Sequence, residues 1–319
     1  MEARKIKNVP DYHYLIVGGT TKAATTSLFT YLADHPAICA ATYKETRFFL
    51  STDYPLPSKY RYREDEQGGN AEDYDLLFPN SDEKQLRVES TPDYLYCAKA
   101  RERIAAALPH VKLVFSLREP ISRLISWYRF AQQIGKLPKT LSFDAYVELL
   151  FTSTAQEEQH LQTLQQGCYT IYLEHYFNQF GSEHIHTLFY EELAAQPSNV
   201  MSNLCSFAGI NSDFYNDYAF KVTNRSENMR NSELHRKYRD TRFRLRQWTH
   251  NKPIIHTPLR TIRKTIEPFY LRLNTRPNQK IEMSEETQHR LIDYYKPDVH
   301  ALSKLIGKSP PWNLSEKSN

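Results

Sequence analysis

The stretch Val17–Ser27, VGGTTKAATTS, decides how this chain is read. It follows the apolar run Tyr14–Val17 (YLIV), whose β-forming residues predict a buried strand. Two adjacent glycines permit a sharp turn, and the amides after them point together at the start of a helix, where the helix dipole favours negative charge. Lys22 adds a full positive charge, and Thr25, Thr26 and Ser27 add hydroxyl donors on the same turn. A phosphate fits such a loop. The spacing is not that of an ATPase loop, which needs glycine directly before the lysine and a hydroxyl directly after it. Here Thr21 precedes Lys22 and Ala23 follows, so the magnesium-holding hydroxyl is not in its usual position. The plain alternative is a capped helix after a tight turn, with no ligand at all.

Outward from this loop, elements alternate. Thr25, Thr26 or Ser27 is expected to cap a helix through Leu32, which stops at Asp34-His35-Pro36 because proline disfavours helical geometry in the residue before it. Ala37–Cys39, Leu86–Val88, Lys112–Leu117 and His184–Tyr190 read as further strands, while Ala98–Leu108, a segment opening at Pro120, and Pro197–Phe207 read as helices. The region around Glu64–Gly69 reads as irregular. Strands alternating with helices predict an α/β fold, a central parallel sheet flanked by helices, with right-handed crossovers. In such sheets ligands sit beyond the carboxyl ends of the strands, which is where the loop lies. A single domain over residues 1–319 is expected, with its core at about 12–312 and flexible ends at 1–10 and 313–319.

Composition excludes little else. A hydrophobic fraction of 40% and a charged fraction of 24% are ordinary for a globular protein, although 22 Tyr and 16 Phe are many. The first residues hold only a four-residue apolar run at Tyr14–Val17, far short of a signal peptide or a membrane span, so a cytoplasmic protein is expected. Cys39, Cys97, Cys168 and Cys205 are widely spaced and lie in segments that read as apolar core, which predicts buried thiols. Net charge is only +4, yet Lys221–Lys264 carries thirteen basic residues against three acidic ones. Leu234, Tyr238, Leu245 and Trp248 fall broadly on one helical face there, which favours a docked amphipathic helix over a nucleic-acid binder. His13, His160, His175 and His186 lack metal-ligand spacing.

A second element sits at Leu113–Tyr128, LVFSLREPISRLISWY. Arg118 stands where the strand ends, and Ser126 lies on the helix that follows, so both side chains can converge on one anion. A kinase often places a magnesium-binding aspartate at such a strand end, whereas this strand ends in Ser-Leu-Arg.

With both elements in this order, the sequence resembles the sulfotransferases that use 3′-phosphoadenosine 5′-phosphosulfate (PAPS). Their 5′-phosphosulfate loop is similar to Thr21–Leu28, and their 3′-phosphate element, an arginine at a strand end followed by Pro and a helical serine, is similar to Leu117–Pro120 with Arg123 and Ser126. The likeness continues through Gly167-Cys168-Tyr169 and Leu188–Leu193. Within the family the chain looks closest to the branch of heparan sulfate sulfotransferases and related bacterial enzymes. There a glutamate before a Phe-Phe pair is the catalytic base, which matches Glu45 in Lys44–Phe49, KETRFF. The branch's Glu-Lys-(Ser/Thr)-Pro-x-Tyr segment resembles Glu89–Tyr94, with Ser90 where those enzymes carry a lysine.

The resemblance implies a P-loop-like nucleotide-binding fold, PAPS as sulfuryl donor, 3′-phosphoadenosine 5′-phosphate (PAP) as product, and no metal. It implies nucleotide contacts from Thr20, Thr21, Lys22, Ala23, Ala24, Thr25, Thr26, Ser27, Arg118, Ser126 and Arg230, with Lys22 stabilising the leaving phosphate. Arg47, Glu89 and Asp93 are expected to line the acceptor pocket, and burial beside Phe48 and Phe49 is expected to raise the Glu45 pKa. The acceptor would be a hydroxyl or amine of a glycan, lipid or natural product. Alternatives are a kinase-like phosphotransferase and a non-catalytic polyanion binder. Residue by residue, Glu45 could instead pair with Lys44 or Arg47, Arg118 could pair with Glu119 or Glu89, and Ser126 could bond back along its helix.

Overall fold

A computed structural model describes residues 13–51, 54, 62, 72–78, 86–153, 162–221, 228–229, 275–276 and 281–314. By contacts the chain groups into two compact units: Met1–Arg123, Leu164–Asn224 and His289–Asn319 form the first, and Leu124–Thr163 with Arg225–Gln288 the second.

The first unit is built on five strands: β1 (Tyr14–Gly19), β2 (Ile38–Ala40), β3 (Leu86–Ser90), β4 (Lys112–Leu117) and β5 (Ile185–Phe189). They pair in the order β2-β3-β1-β4-β5, all parallel. The strand period of two is visible in the packing. Tyr14 and Ile16 of β1 join one core with Ala100 and Ile104 of α3 (Ala98–Ala107) and Leu173 and Tyr176 of α6 (Thr170–Phe180). Leu15 and Val17 join the other core, with Leu28 and Leu32 of α1 (Thr25–Ala33) and Val200, Met201 and Leu204 of α8 (Pro197–Ala208). Apolar side chains on both faces explain why β1 and β4 read as unbroken apolar runs rather than alternating ones.

From β1 the chain crosses toward β2, and from β4 it crosses toward β5 on the opposite side. A crevice at the carboxyl ends of β1 and β4 therefore lies at the topological switch point of the sheet, the place where α/β folds bind ligands. The β1–β4 register slips between Val17 and Gly19, and pairing resumes at Gly19 with Phe115 just before the loop. Gly19 has no substitute there: an added Cβ would stand 2.8 Å from the Leu95 Cβ.

The C-terminal helix α9 (Glu285–Ile306) buries Leu291, Ile292, Tyr295 and Leu302. Its Asp298 carboxylate accepts hydrogen bonds from the amides of Tyr169 (2.7 Å) and Thr170 (3.1 Å) at the start of α6. In the second unit, α5 (Phe143–Thr152) is capped by Ser142, whose hydroxyl accepts from the Ala145 amide, and Tyr128 packs on Phe143 and Tyr146.

The expected elements stand within a residue or two of their positions. The thiols depart from expectation: Cys205 is buried, but Cys39, Cys97 and Cys168 are half-buried, and all four are free. The Glu64–Gly69 region and the basic segment's expected helix over Leu234–Trp248 lie outside the described residues. Among the described residues, no helix is long and apolar enough to cross a membrane.

Candidate active site

Three chain segments meet beyond the carboxyl ends of β1, β3 and β4. The first is the loop Thr20–Ala24. The end of β4 shapes it: the Thr20 amide donates to the Ser116 carbonyl (2.7 Å), the Ser116 hydroxyl donates to the Ala23 carbonyl (2.6 Å), and Arg118 donates to the Lys22 carbonyl (3.1 Å). These bonds hold Lys22 (φ 71°) and Ala24 (φ 57°) in the left-handed region. The Thr20 side chain is fully buried and hydrogen-bonds the Tyr96 hydroxyl.

Helix α1 then starts from Ala24 with no side-chain cap. This corrects the expectation that Thr25, Thr26 or Ser27 caps it; Thr25 and Ser27 are buried instead, and Thr26 is half-buried. An uncapped start leaves the first amides of the helix for another acceptor.

The second segment is Tyr43–Phe49, which follows β2. Glu45 (φ 62°) and Arg47 (φ 56°) are also left-handed. Among the described residues, the non-glycine positions with positive φ are these four, Lys22, Ala24, Glu45 and Arg47. Each costs on the order of 1 kcal/mol, and such strain collects where function fixes the backbone. The Glu45 carboxylate is paired on both oxygens, with Lys44 Nζ at 3.0 Å and an Arg47 guanidinium nitrogen at 2.6 Å. Its side chain is 37% exposed, so solvent reaches it.

The third segment is Glu89–Tyr96, at the end of β3. Glu89 is fully buried, and its carboxylate accepts hydrogen bonds from the hydroxyls of Thr46, Tyr74 (3.1 Å), Thr91 (3.1 Å) and Tyr94 (2.9 Å). Glu89 was expected in the acceptor pocket; enclosed by these four hydroxyls, it presents nothing to an acceptor. Asp93 is buried too, hydrogen-bonded with Tyr54, and within electrostatic reach of Glu45, Arg47 and Lys44.

The charges at this corner govern one another. Burial pushes the Lys22 ammonium down to about 8, helped by Arg118 and Lys44 and opposed by Glu45. Lys22, Arg118 and Glu45 therefore share one site. Burial pushes Asp93 up to about 6, with Glu45 adding to the rise and Arg47 and Lys44 resisting it. For Glu45, burial acts upward, but Lys44 and Arg47 together outweigh it and hold the carboxyl below its ordinary value. The expected rise from Phe48 and Phe49 is thus overturned, because the two ion pairs outweigh burial. The pairing of Glu45 with Lys44 and Arg47 is present in full.

Arg118 pairs with neither Glu119 nor Glu89 in any described ion pair. Its guanidinium stacks over the Tyr190 ring at 4.3 Å, and its Nε is buried with no hydrogen-bond partner among the described residues. A buried, oriented donor of this kind fits an absent anionic oxygen. Ser126 is buried in the second turn of α4 (Pro120–Gln133) and belongs to the second unit, while Arg230 lies outside the described residues.

Residues 15–254 match the family description "Sulfotransferase domain". The chain belongs to the sulfotransferase family. It is 25% identical over 207 residues to the bifunctional heparan sulfate N-deacetylase/N-sulfotransferase 4 of Mus musculus, covering 61% of this chain and 22% of that protein. It is 26% identical over 197 residues to the heparan sulfate glucosamine 3-O-sulfotransferase 3B1 of Homo sapiens, covering 61% of this chain and 45% of that protein. The chain thus spans less than half the length of these relatives. In structure it is similar to a sulfotransferase from Alicyclobacillus acidocaldarius, with a TM-score of 0.62 and 21% identity over 95% of this chain and 98% of that one, which is a likeness of fold.

Several residues of this candidate site were not singled out by sequence reasoning. Ser116 and Tyr190 shape and cover the loop and Arg118, and Thr46, Thr91 and Tyr94 surround Glu89. The available signal was the density of hydroxyls in Glu89–Tyr96, ESTPDYLY, at the end of a buried strand. Among the described residues, no group of three His, Cys, Asp or Glu is arranged to hold a metal.

Proposed function

We propose that this sulfotransferase moves a sulfuryl group from PAPS to a hydroxyl or amine, with Glu45 as the base and Lys22 at the leaving phosphate. The observation that carries the reading is the shared electrostatic site of Lys22, Arg118 and Glu45 at the switch point of the sheet. The donor set fits a nucleotide phosphate: an uncapped helix start, a left-handed loop, one half-buried lysine and a buried arginine nitrogen with no partner among the described residues.

When bound, PAPS supplies the sulfuryl group and its phosphate leaving group. Transfer would break the bond from sulfur to the bridging phosphate oxygen as a bond from sulfur to the acceptor atom formed. Glu45 takes the acceptor's proton, and Lys22 faces the negative charge that builds on the departing oxygen. Thr20–Ser27 supply further nucleotide contacts and Arg118 one to the 3′-phosphate, while Ser126 and Arg230 are carried as nucleotide contacts by the sequence resemblance alone. Arg47 and Asp93 border the acceptor. The names of the relatives support a glucosamine-containing glycan as the first acceptor to try, and a small molecule bearing a hydroxyl or amine is the next.

The test follows labelled sulfur from PAPS onto a de-N-acetylated heparan chain and onto simple phenols, beside calorimetry with PAP. Glu45→Gln is expected to lower turnover by a factor of about 100 or more while PAP still binds within a few-fold of wild type. Turnover of magnesium-ATP in place of PAPS, or equal affinity for PAP and AMP, would defeat the proposal.

A further inference from the structure

The Glu45 segment is held through its own backbone. Consecutive amides of Arg47, Phe48 and Phe49 donate to three hydroxyls: Thr91 Oγ1 (3.1 Å), Thr46 Oγ1 (3.4 Å) and the Tyr94 OH (3.3 Å). Each of those hydroxyls in turn donates its proton to the Glu89 carboxylate. Tyr74 donates the fourth hydrogen bond. A hydroxyl has one proton, so a hydroxyl that donates to Glu89 turns its lone pairs toward the amides. An ionised carboxylate offers only acceptors, about four sites, and here every bond it receives is of that kind. Glu89 thereby fixes the direction of all three relays. The Glu45 amide is tied to the same strand end through the Ser90 carbonyl at 2.8 Å.

We propose that buried Glu89 is a positioning residue for the Glu45 carboxylate, acting through the hydroxyls of Thr46, Thr91 and Tyr94 on the backbone of Arg47–Phe49. It touches neither donor nor acceptor. This inference rests on the reading of Glu45 as the base, and it gives Glu89 a role other than lining the acceptor pocket. It also accounts for the left-handed backbone at Glu45 and Arg47 on either side of Thr46: the relay supplies bonds that an unconstrained loop would not have.

The experiment compares Thr46→Val, Thr46→Ser and Glu89→Gln with wild type. Its readouts are amide hydrogen exchange, PAP affinity, and conversion of PAPS to PAP with water as the acceptor, which needs no identified substrate. A glutamine at position 89 sets an NH2 against two of the four hydroxyls, which lose their acceptor, so the bonds to the amides behind them loosen. Thr46→Val and Glu89→Gln are expected to speed exchange at Glu45–Phe49 about tenfold or more, with exchange in β1 and β4 unchanged. PAPS turnover is expected to fall about tenfold or more, with the KM for PAPS and the PAP affinity held within about twofold. Thr46→Ser, which keeps the hydroxyl, is expected to behave as wild type. Unchanged exchange at Glu45–Phe49 in Thr46→Val overturns the inference, and so does a loss of protection spread evenly through β1 and β4. The exchange result stands apart from the base assignment, which Glu45→Gln tests alone.

Discussion

Asp93 shows how one residue's surroundings set both stability and chemistry. It is 6% exposed, beside a second carboxylate, and its pKa is raised from 3.8 to about 6. The folded protein therefore holds the Asp93 proton more tightly than the unfolded chain does. Keeping this carboxylate ionised costs stability above pH 6, and the cost is relieved as pH falls from 6 toward 4. Asp93→Asn keeps an acceptor for Tyr54 and removes the charge. It is expected to stabilise the protein at pH 7.5 by on the order of 2 kcal/mol, and by almost nothing near pH 4, as read by denaturant unfolding at both values. Equal effects at the two pH values would show that Asp93 is not the group under strain. Lys22 and Arg118 were legible in the sequence because charge at a strand end has few structural uses. The roles of Glu89 and Thr46 were not, because the four hydroxyls around Glu89 come from three separate stretches of chain. The sign of the Glu45 shift was missed for a related reason: neighbours in sequence revealed its burial but not the geometry of its two ion pairs.

At the scale of elements, strands were the most readable features. β1 and β4 are buried on both faces, so they appear as short apolar runs bounded by turn residues or proline. The start of α1 was misread because local propensity favours a hydroxyl cap, whereas Ser116 and Arg118 of a distant strand end pull the loop into a left-handed turn at Ala24. Helix α6 depends on a distant partner in the same way. Asp298 of α9 accepts from the amides of Tyr169, just before the helix, and Thr170, its first residue, and the Tyr169 hydroxyl donates to the Arg118 carbonyl at 2.6 Å. A chain of contacts thus runs from α9 through α6 to an arginine of the site. Asp298→Ala is expected to destabilise the fold by about 1–2 kcal/mol and Asp298→Asn by less, because an amide oxygen still accepts one bond. PAP affinity should weaken in the same order. A variant with wild-type unfolding would mean that water replaces the carboxylate without loss.

At the scale of the whole molecule, the proposed anion site is a burden that a bound anion would relieve. Lys22 is held at about 8 by burial and by the like charges of Arg118 and Lys44, so the free protein keeps an ammonium where it is poorly solvated. A ligand that binds only the folded state stabilises it by RT ln(1 + [L]/Kd), about 2.7 kcal/mol at a hundredfold excess over Kd. PAP is expected to raise the thermal transition accordingly at pH 7, and AMP at the same concentration to do much less. Anionic oxygens against Lys22 raise its pKa in the complex, so above pH 8 binding must take up a proton. The PAP Kd should then rise by up to about tenfold per pH unit, which at pH 10 and unchanged PAP leaves only about 0.4 kcal/mol of stabilisation. Lys22→Arg, whose guanidinium stays charged throughout, should bind more weakly at pH 7 yet lose the steep fall above pH 8. A PAP-induced shift of equal size at pH 7 and pH 10 in the wild-type protein would remove Lys22 from the phosphate site and leave Arg118 to hold the anion alone.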